Sequence, residues 1–150
     1  MRIKVRLPKV EPDRYEWPVV CPHEGCDGRD FKLHGVRGEI KSLRDPRYRE
    51  VKAHRLKCLR CGRTFRVYPR GVSGDQQSDR LKAMSVLLYV LGLSYGGVED
   101  FLEALGVCIG KTTVYENVQA AGVAARVRQR DEVVHSGARP VIGSDATYVK

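Results

Sequence analysis

Two pairs of closely spaced cysteines constrain the fold of this chain more than any other feature of its sequence. Cys21 and Cys26 lie in the segment VVCPHEGCDG, and Cys58 and Cys61 lie in LKCLRCGRTF. Each pair can place two thiolates on one tight turn, and two such turns supply the four sulfurs of a tetrahedral zinc site. We therefore predict that these cysteines bind zinc, with disulfide bonds as the alternative.

Short segments of β-type composition flank both cysteine pairs. They lie at residues 31–33, 51–56 and 64–68. Cysteine turns on short strands are typical of a zinc ribbon, although the 31 residues between the pairs exceed the usual spacing of about 15–20. The insert at residues 35–50 accounts for the extra length. Four thiolates leave no position for a catalytic water, so we predict structural zinc on which folding of the ribbon depends.

Basic residues concentrate in the first half of the chain. Of the 27 Lys and Arg residues, 19 lie in residues 1–72, which hold only 9 of the 18 Asp and Glu residues. The insert contributes Arg44, Arg47 and Arg49, and we predict that these contact the phosphates of double-stranded DNA. A basic surface that only keeps the protein soluble is the alternative.

The segment at 94–121 has the apolar pattern of two short helices joined by a tight turn. The first helix has one apolar face, formed by Val98, Phe101, Leu102 and Leu105. Ser94 is a favourable N-cap, Gly106 suits the left-handed residue that ends a helix, and a second helix begins at Lys111. We predict a helix-turn-helix, with an ordinary packing hairpin as the alternative.

The second helix of this pair presents polar side chains near its N-terminal end. They are Lys111, Thr112, Thr113, Tyr115, Asn117 and Gln119. We predict that they contact phosphates and base edges in a DNA major groove. A preceding helix, capped by Ser78, completes a three-helix unit. Its apolar stripe consists of Leu81, Met84, Leu87, Leu88 and Leu91.

Changes in composition divide the chain into five segments, and the predicted fold class is α+β. The segments are a zinc-ribbon domain with a basic N-terminal strand (1–72), a linker (73–77), a helix-turn-helix domain (78–130), a second linker (131–140) and a single strand (141–150). The last strand, VIGSDATYVK, contains Asp145, a carboxylate that is costly to bury without a partner.

The order of these parts resembles the N-terminal portion of a DDE-type transposase from a bacterial or archaeal insertion sequence. The matching parts are the cysteine-rich ribbon, the turn segment GVCIGKTTVYENV and the strand GSDATYVK. The resemblance implies that the strand opens an RNase H-like domain and that Asp145 is the first of three catalytic carboxylates. It also implies that the ribbon and the helix-turn-helix recognise the terminal inverted repeats of the element.

Catalysis in this family resembles two-metal phosphoryl transfer, in which carboxylates hold paired Mg²⁺ ions. The chain has no sequence that the family's second Asp or its Glu would occupy. We therefore expect Mg²⁺ only in a full-length catalytic protein, and we expect this chain to be inactive alone. A second departure from the family is Gly110 at the N-cap, where Asp or Ser is usual.

A complete zinc-ribbon and helix-turn-helix transcription regulator is the alternative function. In a regulator Asp145 has no catalytic use, and the last strand would belong to a dimer or an accessory element. A homodimer is therefore one candidate assembly. No apolar run approaches the ~18 residues that a membrane span needs, and the N-terminus lacks the apolar core of a signal peptide. We expect a cytoplasmic protein with no membrane partner.

Overall fold

The computed structural model describes residues 6–74 and 76–136. Within these residues the protein is mixed α+β, with six strands and three helices, so the predicted fold class is confirmed at this level. In chain order the elements are β1 (Glu11–Tyr15), β2 (Phe31–Leu33), β3 (Glu39–Ser42), β4 (Glu50–Cys58), β5 (Thr64–Val67), β6 (Pro69–Arg70), α1 (Asp79–Val90), α2 (Tyr95–Ala104) and α3 (Lys111–Ser136). The predicted terminal strand at 141–150, with Asp145, lies outside the described residues.

The main sheet is built around β4. The strands β2, β3 and β5 each pair with β4 in antiparallel fashion, while β1 and β6 form a separate two-stranded sheet. All three segments with predicted β-type composition are strands, because each carries the β-branched or aromatic residues that fit a half-buried sheet. The sequence did not predict β3, which lies in the insert and pairs with the first half of β4.

Burial changes from one face of β4 to the other along its length. Val51 and Ala53 are buried on one face, whereas Leu56 and Cys58 are buried on the opposite face nearer the end of the strand. Successive side chains of a strand point to opposite faces. The first half of β4 therefore buries one face of the strand, and the second half buries the other. In each half the face that is not buried is the more exposed one.

Two small apolar groups cover these opposite faces. Val51 packs in a cluster with Val10 and Leu43. Near the cysteines, the rings of Phe31 and Phe65 from the strands on either side of β4 pack edge to face, with centroids 5.3 Å apart. Neither group is large, so burial alone gives this half of the protein modest stabilisation.

The three helices pack around a separate apolar core. It consists of Leu81, Val98, Leu102, Val107, Ile109 and Val114. Both predicted N-caps are confirmed, since the Ser78 hydroxyl accepts the Leu81 N–H at 3.0 Å and the Ser94 hydroxyl accepts the Gly97 N–H at 3.1 Å. Gly106 follows α2 with a φ of +79°, as predicted for a left-handed residue at a helix end.

Three apolar residues that were predicted to face the helical core are exposed instead. They are Leu91, Phe101 and Leu105, whose exposed fractions are 69%, 44% and 46%. α1 ends just before Leu91, and the chain changes direction at Gly92, where φ is +105°. α2 buries only Val98 and Leu102, which lie four residues apart on one ridge of the helix. Phe101 and Leu105 lie off this ridge and face solvent.

Within the described residues the structure departs from the predicted segments at two places. Residues 6–10, part of the predicted basic N-terminal strand, do not form a strand, and β1 begins only at Glu11. α3 continues to Ser136, into the predicted linker at 131–140. The helix continues because the sequence DEVVHS contains neither Gly nor Pro, the two residues that most disfavour a helix interior.

The last residue of the predicted linker at 73–77 contacts both the insert and α3. Gln77 is buried and forms a β-bridge with Arg44 of the insert. The Gln77 side-chain oxygen also accepts a hydrogen bond of 3.0 Å from the Asn117 amide of α3. The end of this segment is therefore part of the packed structure rather than a free connection.

The carboxylate of Asp45 makes a second connection between the insert and α1. It accepts hydrogen bonds from the backbone N–H groups of Arg47 and Tyr48 at 2.8 and 3.1 Å. It also accepts the Ser78 hydroxyl at 2.6 Å and lies 3.5 Å from the Arg80 guanidinium. Because both oxygens of this buried carboxylate have hydrogen-bond partners, it joins α1 to the insert without leaving an unsatisfied charge.

Candidate metal centre and predicted DNA-contact residues

The sulfurs of the four predicted ligands, Cys21, Cys26, Cys58 and Cys61, converge on one point. Their Sγ atoms all lie within 4.8 Å of one another. The Cys21–Cys61 and Cys26–Cys58 sulfur pairs are 3.8 and 3.9 Å apart. A zinc ion about 2.3 Å from each of four tetrahedral sulfurs requires sulfur separations of about 3.8 Å, so the quartet can hold zinc.

The same separations decide against the disulfide alternative. A disulfide bond joins two sulfurs at about 2.05 Å, far closer than any pair in this cluster. All four cysteines are free thiols in the structure. The cluster therefore keeps all four sulfurs available as metal ligands.

Left-handed glycines shape both cysteine turns. Gly25 and Gly62 have φ values of +76° and +72°, a conformation that side chains with a Cβ rarely adopt. The Cys26 N–H donates to the His23 carbonyl at 3.1 Å, and the Gly62 N–H donates to the Cys58 carbonyl at 3.0 Å. These bonds close the turns that direct two sulfurs each towards the centre.

Gly28 is a contributor to the metal centre that sequence analysis missed. Its carbonyl accepts the Cys21 N–H at 2.8 Å, which links the start of the first turn to the residue beyond it. A Cβ atom on Gly28 would stand 2.7 Å from the Cys58 sulfur and 2.9 Å from the Arg60 Cβ. Only a residue without a side chain fits there, and the only sequence signal was its place two residues after Cys26.

The protein environment favours a thiolate at one cysteine and opposes it at another. Backbone N–H groups of Cys61 and Arg60 donate towards the Cys58 sulfur and lower its pKa to about 7. Burial raises the pKa of Cys21 to about 12. Four neighbouring sulfurs cannot all lose their protons without a compensating positive charge, and a bound divalent ion would supply that charge.

The cysteine quartet is the one group of three or more His, Cys, Asp or Glu ligands close enough to hold a metal among residues 6–74 and 76–136. Asp145, the predicted Mg²⁺ ligand, lies outside these ranges. In the same ranges, no helix combines the length and apolar character that crossing a membrane requires.

Most of the predicted DNA-contact residues on α3 are accessible. Lys111, Thr112, Tyr115 and Gln119 are exposed, and Thr113 is partly exposed. The outward position predicted for Asn117 is wrong. Asn117 is buried three residues after the core residue Val114, on the same side of the helix, and it donates to Gln77. Asn117 therefore links α3 to Gln77, and its amide is buried away from the surface that a base could contact.

The start of α3 has a cap that the sequence did not reveal. Gly110 has no side chain to accept a hydrogen bond, but the Glu99 carboxylate of α2 accepts the Lys111 N–H at 3.1 Å. A negative group at a helix N-terminus is also favoured by the helix dipole. The contact compensates for the weak predicted cap and fixes the first turn of α3 against α2.

Two of the three predicted arginines of the insert lie beside the α2–α3 turn. Arg44 and Arg49 line one groove together with Gly106 and Cys108. The Arg49 guanidinium comes within 3.8 Å of the position that a Cβ on Gly106 would occupy. Arg47 is exposed but lines a different groove, with residues 7–9 and α1.

Comparison of the chain with known protein families, curated proteins and solved structures finds no match. The transposase resemblance therefore remains a prediction from the sequence. The metal centre and the placement of the arginines stand on the geometry of the protein itself.

Proposed function

We propose that this chain is the DNA-binding N-terminal portion of a DDE-type insertion-sequence transposase and recognises the terminal inverted repeats of its element. In this proposal the cysteine-bearing sheet is a zinc ribbon, and α2 and α3 form a helix-turn-helix. The observation that carries the proposal is the meeting of insert arginines and the α2–α3 turn in one groove.

This groove would place phosphate contacts next to base contacts. Arg44 and Arg49 lie at the turn that leads into α3, whose first exposed residues are Lys111 and Thr112. Contacts to phosphates fix the position of a protein on duplex DNA, while contacts to base edges supply sequence preference. The arginines would therefore hold the DNA backbone while the start of α3 enters the adjacent major groove.

The zinc ion has a structural role in this proposal. Four sulfur ligands leave no open coordination position, so the metal fixes the sheet that carries the insert arginines. The reducing cytoplasm, where we place the protein, keeps the cysteines as thiols for the metal. Asp145 would be the first catalytic carboxylate, and Mg²⁺ would bind only where the second Asp and the Glu are also present.

The test begins with selection of duplex DNA sequences by the full 150-residue chain loaded with zinc. Affinities of variants are then measured on the selected sequence and on random DNA. Gln119→Ala and Thr113→Ala should each lose about 1–3 kcal/mol of discrimination between the two DNAs. Arg44→Gln and Arg49→Gln should weaken binding to both DNAs alike. Gln129 is an exposed residue further along the same helix, and Gln129→Ala is the matched control, which should leave the discrimination unchanged.

Two results would contradict the proposal. One is the absence of any selected sequence, which would remove the recognition role. The other is an affinity that does not change with salt, because phosphate contacts must release counterions when they form.

A further inference from the structure

We propose that one face of the main sheet is a second DNA-backbone surface, separate from the start of α3. The surface consists of Lys32, Arg55, Lys57 and Arg66 and is called the basic sheet face below. It rests on the proposed DNA-binding function and adds a contact that none of the predicted DNA-contact residues includes. Its partner is the phosphate backbone of duplex DNA.

Strand register places these four side chains together. Lys32 of β2 is directly opposite Lys57 of β4, and Arg55 of β4 is directly opposite Arg66 of β5. Residues directly opposite in an antiparallel pair share a face, and residues two apart on β4 share it as well. A hydrogen bond of 3.1 Å from the Arg55 guanidinium to the Thr64 hydroxyl crosses the same face.

The change of burial along β4 leaves this face open near the cysteines. Leu56 and Cys58 are buried on the opposite face, while Arg55 is exposed and Lys57 is partly exposed. Lys32 and Arg66 are exposed on the neighbouring strands. The metal centre thus anchors one side of the sheet, and the other side presents a fixed array of cations.

Two like-charged pairs side by side are an unfavourable arrangement for the sheet itself. Like charges directly opposite across two strands destabilise the pairing. Folding therefore gains nothing from Lys32 facing Lys57 or from Arg55 facing Arg66. A bound polyanion would reverse the sign of this interaction, which is why the arrangement points to a ligand.

Acidic groups on this face offset only a small part of its positive charge. Among the residues of β2 to β5 that share the face, the single carboxylate is Glu39. It pairs with Lys41 and, at 3.4 Å, with Arg66. The hydrogen bond from Lys41 is the main reason that the pKa of Glu39 is lowered, so this carboxylate remains charged. With Lys41 the face carries five positive charges, and Glu39 offsets one of them.

The spacing of the cations suits an extended backbone better than one small anion. Residues two apart on a strand are separated by about 6.6 Å, and neighbouring strands by about 4.8 Å. The four groups therefore spread across three strands instead of converging on one pocket. The phosphates of a nucleic-acid backbone can contact all of them at once, whereas a single free phosphate would use only part of the array.

The test compares two variants of the zinc-loaded full chain, each lacking four positive charges from a formal net charge of +9. The first changes Lys32, Arg55, Lys57 and Arg66 to Gln. The control changes four exposed cations elsewhere to Gln, namely Arg14, Lys52, Arg70 and Arg128. Affinity for random duplex DNA is measured from low to high salt, together with zinc content and helix content.

The first variant should reduce the slope of log affinity against log salt by about 3.6, because each lost phosphate contact removes about 0.9. The control should keep most of the slope. Equal slopes for the two variants would overturn the basic sheet face. So would loss of zinc in the first variant alone, since the cations would then serve only to balance the charged metal centre.

Failure of this inference is distinguishable from failure of the proposed function. If the unchanged chain binds duplex DNA and the first variant binds it with the same slope, only the basic sheet face is wrong. If the unchanged chain does not bind duplex DNA, or binds only RNA duplexes, free phosphate or anionic lipid vesicles, both proposals are wrong.

Discussion

The sheet half (residues 6–72) and the helical half (residues 79–136) of this protein are held together by different means. The helical half buries six apolar residues in one continuous cluster. The apolar cluster of the sheet half contains three buried residues, and its far end is organised around four cysteine sulfurs. The helical half therefore depends on burial of apolar surface, and we propose that the sheet half depends on a metal held by these sulfurs.

This difference matters because the two halves would fail under different conditions. A small β-structure with little core needs an additional link, and metal binding contributes its free energy directly to folding. Apolar burial does not respond to a chelator. The three predictions that follow separate the two halves, in order of decreasing effect.

Removing the metal should have the largest effect, and it should be confined to the sheet half. Zinc binding in small zinc-dependent folds is worth about 10–16 kcal/mol near neutral pH, so Cys58→Ser or a strong chelator should unfold the cysteine-bearing sheet. Hydrogen exchange should show loss of amide protection in β2, β4 and β5 and retention in α1 to α3. Cys108→Ser, at an exposed cysteine outside the cluster, is the control and should change nothing. Uniform loss of protection would show that the halves are not separate.

Leu102→Ala should destabilise the helical half and leave the sheet half unchanged. Leu102 is fully buried in the helical core, and a cavity of this kind costs about 2–5 kcal/mol. Urea unfolding followed by helix circular dichroism should report the loss, while zinc content stays the same. Leu105→Ala removes the same group from a half-exposed position and should cost much less. Equal losses from the two variants would mean that the helical core is not where the structure places it.

Gly28→Ala should have the smallest effect of the three, on the metal centre alone. The added methyl group would stand 2.7 Å from the Cys58 sulfur, so the sulfur must move. We expect zinc affinity to fall about 10–100-fold, the range for changes beside metal ligands. Competition with a chromophoric chelator measures this change. Gly122→Ala in α3, where an added Cβ meets no atom within 4 Å, should leave zinc affinity unaltered.

Features that depend on neighbouring residues were predicted well from the sequence. The caps at Ser78 and Ser94 and the left-handed Gly106 are local, because each involves groups within a few residues. The cysteine quartet joins distant segments. Two pairs of closely spaced cysteines are nevertheless typical of a zinc site, so its assembly was also predicted. Which residues contact DNA stays a prediction.

Features that depend on distant partners were not predictable in the same way. Asn117 is polar and close to the start of α3, which suggests an outward position, yet Gln77, 40 residues earlier, gives it a buried partner. The basic sheet face depends on the pairing of three strands, and no periodicity within one segment shows that Arg55 lies opposite Arg66. Local patterns carry no information about such pairs.

The change of burial along β4 has a consequence for the accuracy of folding. A shift of one residue in strand pairing turns every side chain to the opposite face. On β4 such an error would expose Val51 at one end and move Cys58 out of the cysteine cluster at the other. A misaligned pairing therefore loses apolar burial at one end of the strand and a cysteine ligand at the other. Both losses disfavour the wrong register, so this nine-residue strand strongly favours its native alignment.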